Sequence, residues 1–369
     1  MAGKGSLSPP EITSFQDRVT GAKIYQITSH PSINHPSYFL QGSFFPHGRA
    51  LIFISYRTGT AQLFEAKFPS GEIRQLTAGE PIHPFSPAIH PLSRELFFVR
   101  AGSVWMLDVI TGREREVVNF PGAQLGECSL TSNGTWITAA IKDGSQHGLV
   151  VGKADGKEWS LIPFPRTVIH PQFHPTNPNW LIFSGDPAPR MHRVRRDGTG
   201  MECLYEHGNE EFVVHETFLG RTGDIVFTVW PNRLCRMNWE TRQISTIADF
   251  NAWHIAPNRA GTKILCDTNH PDRGLYLIDA GTGEQRHICM SDSTNQGSQW
   301  TTSRYALAED FAAARSAATT ETLSWMETAG DTVYGPQWTH PHPSFSNDEK
   351  RVAFASDRTG NTQVYVVEI

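Results

Sequence analysis

The residues of this chain most suited to chemistry lie between positions 337 and 342, where an amide and two histidines occur together. His340 and His342 are two residues apart, so on an extended segment their side chains would point to the same side. A proline follows each histidine and stiffens the backbone. With Gln337 they offer two imidazoles and an amide oxygen, which can form half or more of a divalent cation site. An ordinary loop rich in His-Pro pairs is the alternative, because such pairs recur along the chain.

Composition excludes several function classes. The chain has 369 residues, 19% of them charged, and a net charge of -5, without a Lys/Arg block that would suggest a nucleic-acid partner. No apolar stretch is long enough to span a membrane, and the first residues contain no apolar leader. The five cysteines are odd in number and widely spaced, which is typical of reduced core thiols. We therefore expect a cytoplasmic protein, whose oligomeric state the sequence leaves open.

One unit recurs through the chain. Residues 44–64 and 343–367 match closely, and both contain Ser-x-Arg-Thr-Gly between two strand-like segments. Weaker copies follow the same pattern, and the turns of the first six units lie at positions 48, 93, 134, 179, 223 and 261. The intervals between these turns are 38 to 45 residues, which suits one four-stranded propeller blade per unit.

The spacing predicts an all-β fold in which residues 1–369 form a single seven-bladed β-propeller domain. The last interval, from 261 to 348, is about twice as long as the others. We interpret it as a short helical insertion at about 291–336, because its segment 303–325 is rich in alanine and poor in strand formers. Pairing of residues 22–27 with residues 363–368 would close the ring and remove free sheet edges. The alternative fold, two stacked β domains, fits the even spacing less well.

Ligands of propellers usually bind at the central funnel, so positions that repeat from blade to blade are informative. His215 and His254 stand eight and seven residues before the turns of their units, and His340 and His342 stand eight and six residues before the last turn. Equivalent offsets in a radial repeat place side chains around one axis. This predicts a shared site, although histidines could instead cap the loops that lead into the blades.

With these patterns in view, the chain resembles the oligogalacturonate lyase family. The matching pieces are the run Thr-His-Pro-His-Pro-Ser-Phe at 339–345 with Gln337, His215-Glu216-Thr217-Phe218, Trp253-His254, Arg190-Met191, and the segments 17–23 and 34–39. Together they cover most of the chain in order, and the run at 339–345 is the most specific. The resemblance implies a cytoplasmic seven-bladed propeller enzyme of pectin degradation.

The resemblance also implies a reaction. The substrate would be a short oligomer of 4-linked galacturonate or a related uronide, cleaved by β-elimination after a base removes the proton at C5. A divalent cation on the neighbouring carboxylate would stabilise the developing charge. His254, Gln337, His340 and His342 match the metal ligands. Manganese is the usual metal of the family, and the same donors would accept nickel, cobalt or zinc.

The remaining roles follow from the same resemblance. His215 matches the general base and Arg190 the cation that holds or polarises the sugar acid, whereas an exposed surface arginine is the alternative for Arg190. His35 is a candidate for lining the substrate pocket. The segment 291–336 is longer than the family pattern, and it could narrow the funnel and alter the preferred uronide.

Two other functions compete with the lyase. A non-catalytic propeller that binds carbohydrate or protein would share the fold, but it has no need for histidines at matching offsets. The propeller domain of a peptidase would be accompanied by a Gly-x-Ser-x-Gly motif and a hydrolase module, and neither occurs in the sequence. We therefore favour the metal-dependent lyase.

Overall fold

The predicted all-β propeller is confirmed by the structure, a computed structural model that describes residues 3–46, 50–186, 188–208, 210–269, 271–295 and 337–369. Within these residues the chain forms thirty strands and one short 3-10 helix. The strands make seven antiparallel sheets of four or five strands each. Each sheet is one blade.

Three blades come from the first half of the chain. Blade 1 contains β4 (Asn34–His35), β5 (Ala50–Ser55), β6 (Gln62–Lys67) and β7 (Ile73–Gln75), with β1 (Leu7–Ser8) paired to β7. Blade 2 contains β8 (Ala88–Ile89), β9 (Glu95–Arg100), β10 (Ser103–Asp108) and β11 (Glu114–Asn119). Blade 3 contains β12 (Gln124–Leu130), β13 (Trp136–Asp143), β14 (Gln146–Lys153) and β15 (Ser160–Phe164).

The next three blades follow the same order. Blade 4 contains β16 (Thr167–Phe173), β17 (Trp180–Asp186), β18 (Met191–Arg195) and β19 (Glu202–Cys203). Blade 5 contains β20 (Val213–Phe218), β21 (Ile225–Val229), β22 (Arg233–Met237) and β23 (Ile244–Ala248). Blade 6 contains β24 (Ile255–Pro257), β25 (Lys263–Cys266), β26 (Leu275–Asp279) and β27 (Gln285–Cys289).

Blade 7 is built from both ends of the chain. Its strands are β28 (Ser344–Phe345), β29 (Arg351–Ser356), β30 (Gln363–Glu368), and then β3 (Lys23–Gln26) and β2 (Thr13–Gln16). β3 pairs antiparallel to β30, with Ile24 opposite Val367. Ile24 is fully buried in a core cluster with Leu265 of blade 6 and Phe354 of blade 7. The predicted closure of the ring by the N-terminal strand is therefore confirmed.

The repeated turns of the sequence connect the first and second strands of the blades. Gly134, Gly223 and Gly261 lie in these turns with φ of 72°, 85° and 71°. Such left-handed conformations favour glycine because it has no Cβ. The turns at Ser93 and Asn179 occupy the same place in blades 2 and 4. The turn at position 48 lies outside the described residues.

Some histidines of the recurrent His-Pro pairs hold neighbouring blades together. A Cβ added to Gly134 of blade 3 would lie 1.9 Å from His90 Nε2 of blade 2. A Cβ added to Gly223 of blade 5 would lie 2.8 Å from His174 Nε2 of blade 4. In both places a histidine of one blade packs under the turn glycine of the next. His90 and His174 therefore have a packing role, which agrees with the alternative that His-Pro pairs are ordinary loop residues and not metal ligands.

Other expectations about the chain are settled only in part. The predicted helical insertion falls on residues 296–336, which lie outside the described residues. The extent of the single domain, 1–369, stays a prediction. All five cysteines are free thiols, four of them buried. Among the described residues, no helix has the length and apolar character needed to cross a membrane.

A substitution in β3, the strand that closes the ring, tests how much this closure stabilises the fold. Ile24→Ala should lower the free energy of unfolding by about 2–5 kcal/mol, because it removes a fully buried side chain from the core between blades 6 and 7. Urea denaturation measures the change. The control, Val19→Ala, alters a side chain that is 60% exposed and should stay within about 0.5 kcal/mol of the parent. Equal effects of the two variants would contradict a stabilising closure.

Candidate active site

Three of the predicted metal ligands converge in the structure. His254 directly precedes β24 of blade 6, whereas His340 and His342 lie between the 3-10 helix and β28 of blade 7. Each offers one ligand atom, and these atoms all lie within 4.8 Å of one another. All three side chains are buried, with at most 1% exposed. The arrangement brings together histidines from two blades that are far apart in sequence.

The local conformation of this segment differs from the sequence prediction. Residues 337–339 form a 3-10 helix that begins at Gln337, and His342 has a φ of 44°. The expectation of an extended segment is therefore wrong. The rings of His340 and His342 still come within 5.9 Å, centroid to centroid. Tertiary contacts, rather than the two-residue period of a strand, bring the pair together. The assignment of Gln337 as a ligand stays a prediction.

His254 is held by a buried carboxylate. Asp267 follows β25. Its Oδ2 lies 2.7 Å from the Nδ1 of His254, and its Oδ1 accepts a hydrogen bond of 2.6 Å from the backbone N–H of His254. Burial raises the pKa of Asp267 to about 7, and the bond from His254 opposes that rise. An ionised carboxylate can only accept, so with Asp267 ionised Nδ1 carries the proton and the lone pair of the neutral ring is on Nε2.

The histidine cluster is chemically suited to a cation. Burial, with the neighbouring histidines, lowers the pKa of His254 and of His342 well below the usual value, so both rings are neutral at pH 7. Neither ring nitrogen of His342 has a hydrogen-bond partner among the described residues, although the side chain is fully buried. A buried polar atom without a partner is costly unless it binds something else. Neutral, convergent imidazoles fit a divalent transition metal.

The predicted base lies beside this cluster. His215 occupies a β-bulge between Val214 and Thr217 of β20, with a φ of 56°. The bulge turns its ring towards the cluster, 4.5 Å from the ring of His254, centroid to centroid. Burial and then the charge of His254 lower the pKa of His215 well below its usual range. Its Nδ1 has no hydrogen-bond partner in the described part of the chain. The geometry thus offers a neutral imidazole next to three convergent ones.

A second buried polar group was missed by sequence reasoning. His170 occupies the corresponding bulge of β16, also with a φ of 56°. Its Nε2 lies 2.9 Å from the hydroxyl of Tyr38, and its Nδ1 lies 3.4 Å from Oε1 of Glu216. The ring of Tyr38 in turn packs against His342, with centroids 5.0 Å apart. The signal was available, because His170 stands nine residues before the turn at Asn179, close to the offset of His215.

Arg190 is part of the same interior and not an exposed surface residue. Its side chain is buried immediately before β18, and its Nη2 donates a 3.3 Å hydrogen bond to the hydroxyl of Ser184. Burial alone would raise the pKa of Glu216, but His170 and Arg190 lower it overall. Arg190 also contributes to the low pKa of His215. The guanidinium therefore lies within electrostatic reach of the predicted base.

His35, the remaining candidate, is fully buried in β4. Its Nδ1 is 2.9 Å from the carbonyl oxygen of Pro36, and its ring packs on Phe85. Its charge contributes to the low pKa of His342, which places it next to the cluster. Whether it lines a substrate pocket stays a prediction.

Comparison with known proteins adds whole-chain relatives. No family model matches the chain. The oligogalacturonide lyase of Pectobacterium atrosepticum and the oligogalacturonate lyase of Dickeya dadantii are each 22% identical, over 99% of this chain and 98% of the relative. Among solved structures, an oligogalacturonate lyase in complex with manganese has a TM-score of 0.83 at 20% identity, over 100% of this chain and 98% of that chain. The oligogalacturonate lyase of Vibrio parahaemolyticus has a TM-score of 0.80 at 19% identity, over 100% and 99%.

The chain is a seven-bladed β-propeller with a buried histidine cluster, and its full-length relatives are lyases. The chain resembles oligogalacturonate lyases over its whole length, as the sequence motifs predicted. These relatives support the prediction of an enzyme.

The buried histidines predict an acid-sensitive fold. Burial lowers the pKa of His35 to about 4, whereas the unfolded value is about 6.5. Between these pH values the unfolded chain binds more protons than the folded one, so stability falls as the pH decreases from 6.5 to 4 and levels off below. One such histidine contributes a slope of up to about 1.4 kcal/mol per pH unit. Urea midpoints of the chelator-treated protein, measured from pH 7.5 to 5, should show this loss.

A variant isolates the share of His35 in that slope. His35→Gln cannot titrate, so its loss of stability between pH 6.5 and 5 should be shallower than that of the parent by about 1 kcal/mol per pH unit. Comparison of each protein with itself at pH 7.5 removes the direct effect of the substitution on packing. Parallel pH profiles for the two proteins would exclude His35 as a buried neutral histidine.

Proposed function

We propose that this protein is a metal-dependent lyase that cleaves short oligogalacturonides, or related uronides, by β-elimination in the cytoplasm. The convergence of His254, His340 and His342 beside His215 carries the proposal. Support comes from the full-length relatives, which are oligogalacturonate lyases, one of them solved with manganese. The free thiols agree with the cytoplasmic location.

In this proposal His254, His340, His342 and Gln337 hold a divalent cation, which we take to be manganese. When bound, the cation supplies electrostatic stabilisation for the charge that develops at the substrate carboxylate. The chain's own contribution is a dry, neutral set of donors. Their burial keeps the imidazoles unprotonated, so no proton has to be displaced from these nitrogens on binding.

His215 is proposed to take the proton from C5 of the uronide. A base must lie close to the carbon that carries the substrate carboxylate, and the ring of His215 is 4.5 Å from that of His254, which would hold the cation. Its low pKa keeps the ring unprotonated at neutral pH. The C5–H electron pair then forms the C4=C5 double bond, the C4–O4 bond breaks, and O4 gains a proton. The product is an unsaturated uronide and a shortened oligomer.

Arg190 is proposed to hold the acidic sugar. The interior around it contains buried carboxylates at Glu127 and Glu216, which would repel an anionic substrate on their own. A guanidinium offers a planar pair of donors that suits a carboxylate. His35, which lies near His342, completes the proposed pocket. Together these groups would bind and orient the uronide rather than exchange its protons.

The proposed reaction has a direct optical assay. The purified protein with Mn²⁺ and digalacturonate should produce absorbance near 235 nm, because the product carries a double bond conjugated to its carboxylate. Other oligo-uronides tested in parallel will identify the preferred sugar. If no uronide produces absorbance near 235 nm and elemental analysis finds no bound metal, the proposed lyase function is refuted.

The base and the metal ligands should be separable by substitution. His215→Ala should lower kcat by about 10²–10⁴-fold and leave Mn²⁺ affinity unchanged, because it removes a proton acceptor and not a ligand. His342→Ala should instead lose Mn²⁺ binding in equilibrium dialysis. The matched control is His174→Ala, which alters a histidine that packs between blades and should retain both properties. Normal turnover by the His215 variant would mean that another group is the base.

A further inference from the structure

The carboxylate of Asp267 joins two of the three clustered histidines. It is fully buried, and it accepts bonds from both the backbone and the Nδ1 of His254. The backbone N–H of His342 faces the same carboxylate and lowers its pKa. These three groups belong to blade 6 and to the loop that leads into blade 7. One side chain therefore connects two blades at the point where their histidines meet.

These bonds have a chemical consequence for His254. A neutral imidazole has one N–H and one lone pair. Because the N–H at Nδ1 is used by Asp267, the lone pair lies on Nε2, which is the form that a cation needs. Without a carboxylate at this place, the proton could lie on Nε2 and block binding. The tautomer of His254 thus depends on the residue at position 267.

The consequence for His342 concerns its backbone. His342 adopts a left-handed conformation, with a φ of 44°, which costs about 1 kcal/mol or more for a residue other than glycine. Such a conformation persists only where the surroundings impose it. The attraction between its N–H and the carboxylate of Asp267 is one such constraint, and it draws this loop towards blade 6.

We propose that Asp267 is a positioning residue of the metal centre, which sets the tautomer of His254 and fixes the backbone of His342 so that both can bind one cation. The proposal rests on the proposed function in one respect, that the histidine cluster binds a divalent cation. Asp267 itself is not a ligand in this arrangement. Its effect should therefore appear first in the affinity for the metal.

The side chain of Asp267 can be changed without removing the backbone frame around it. The backbone N–H of Trp253 donates to the carbonyl oxygen of Asp267 at 3.0 Å, and the N–H of Asp267 donates to the carbonyl oxygen of His254 at 3.3 Å. Neither bond uses the carboxylate. Asp267→Asn keeps the size of the side chain but replaces one acceptor oxygen by a donor, which faces Nδ1 of His254 and favours the opposite tautomer.

The test is Mn²⁺ affinity, measured on the full chain by electron paramagnetic resonance of free Mn²⁺. Asp267→Asn should raise the dissociation constant by about 10–100-fold, the usual effect of losing a group that orients a ligand. The matched control is Asp224→Asn. Asp224 is a buried carboxylate of blade 5 that accepts bonds from Arg236 and Asn238, and its loss should leave Mn²⁺ affinity unchanged.

A second measurement, on the metal-free wild-type protein, does not depend on how the variant folds. Long-range ¹H–¹⁵N spectra of histidine-labelled protein, with His254→Gln used to assign the signal, should show His254 protonated at Nδ1. A proton on Nε2 would overturn the proposal even if Asp267→Asn fails to fold. A folded Asp267→Asn variant should show the proton moved to Nε2.

The outcomes separate this inference from the proposed function. Wild-type protein that binds no Mn²⁺ would refute the proposed metal site, and the positioning role would fall with it. Wild-type protein that binds Mn²⁺ while Asp267→Asn binds it equally well would refute the positioning role alone. Weakened Mn²⁺ binding together with an altered tautomer would support the positioning role.

Discussion

The pairing of β3 with β30 is the constraint on which the site depends. It makes blade 7 from both ends of the chain and seals it against blade 6 through a core that contains Ile24, Leu265 and Phe354. Hydrogen bonds reinforce the seam, because the side chain of Gln363 accepts from the hydroxyl of Thr28. The loop that carries the histidines of blade 7 can meet blade 6 only if this seam holds. The geometry of the site therefore depends on closure of the ring.

Within the closed ring, irregular backbone directs the polar side chains. His170 and His215 lie in equivalent bulges of adjacent blades with the same φ of 56°, and His342 is also left-handed. Regular strands would send successive side chains to the two packed faces of a blade. A bulge adds a residue that need not pack between blades, so its side chain is free to face the interior. The strain occurs where the proposed chemistry lies and is sustained by the rigid sheets around it.

The sequence predicted the blades well because each blade needs its own turn between its first two strands. Repeated turns and offsets were therefore enough to predict that His215 and His254 belong to the site. The same comparison of offsets would also have identified His170. The conformation of His342 could not be predicted in this way, since no local preference favours it. Asp267 was also out of reach. It bonds to a histidine thirteen residues away across a hairpin and to a loop of another blade, so its sequence neighbours do not reveal it.

Desolvation is the physical cause that connects stability with the proposed activity. Burial keeps His254 and His342 neutral, which is the form that a metal ligand needs, and keeps His215 neutral, which is the form that a proton acceptor needs. The same burial leaves both ring nitrogens of His342 without partners among the described residues. A cation in this position would satisfy such nitrogens, and it would bind the folded form far better than the unfolded chain. Metal binding would then stabilise the folded protein by giving partners to the buried ring nitrogens that lack them in the metal-free protein.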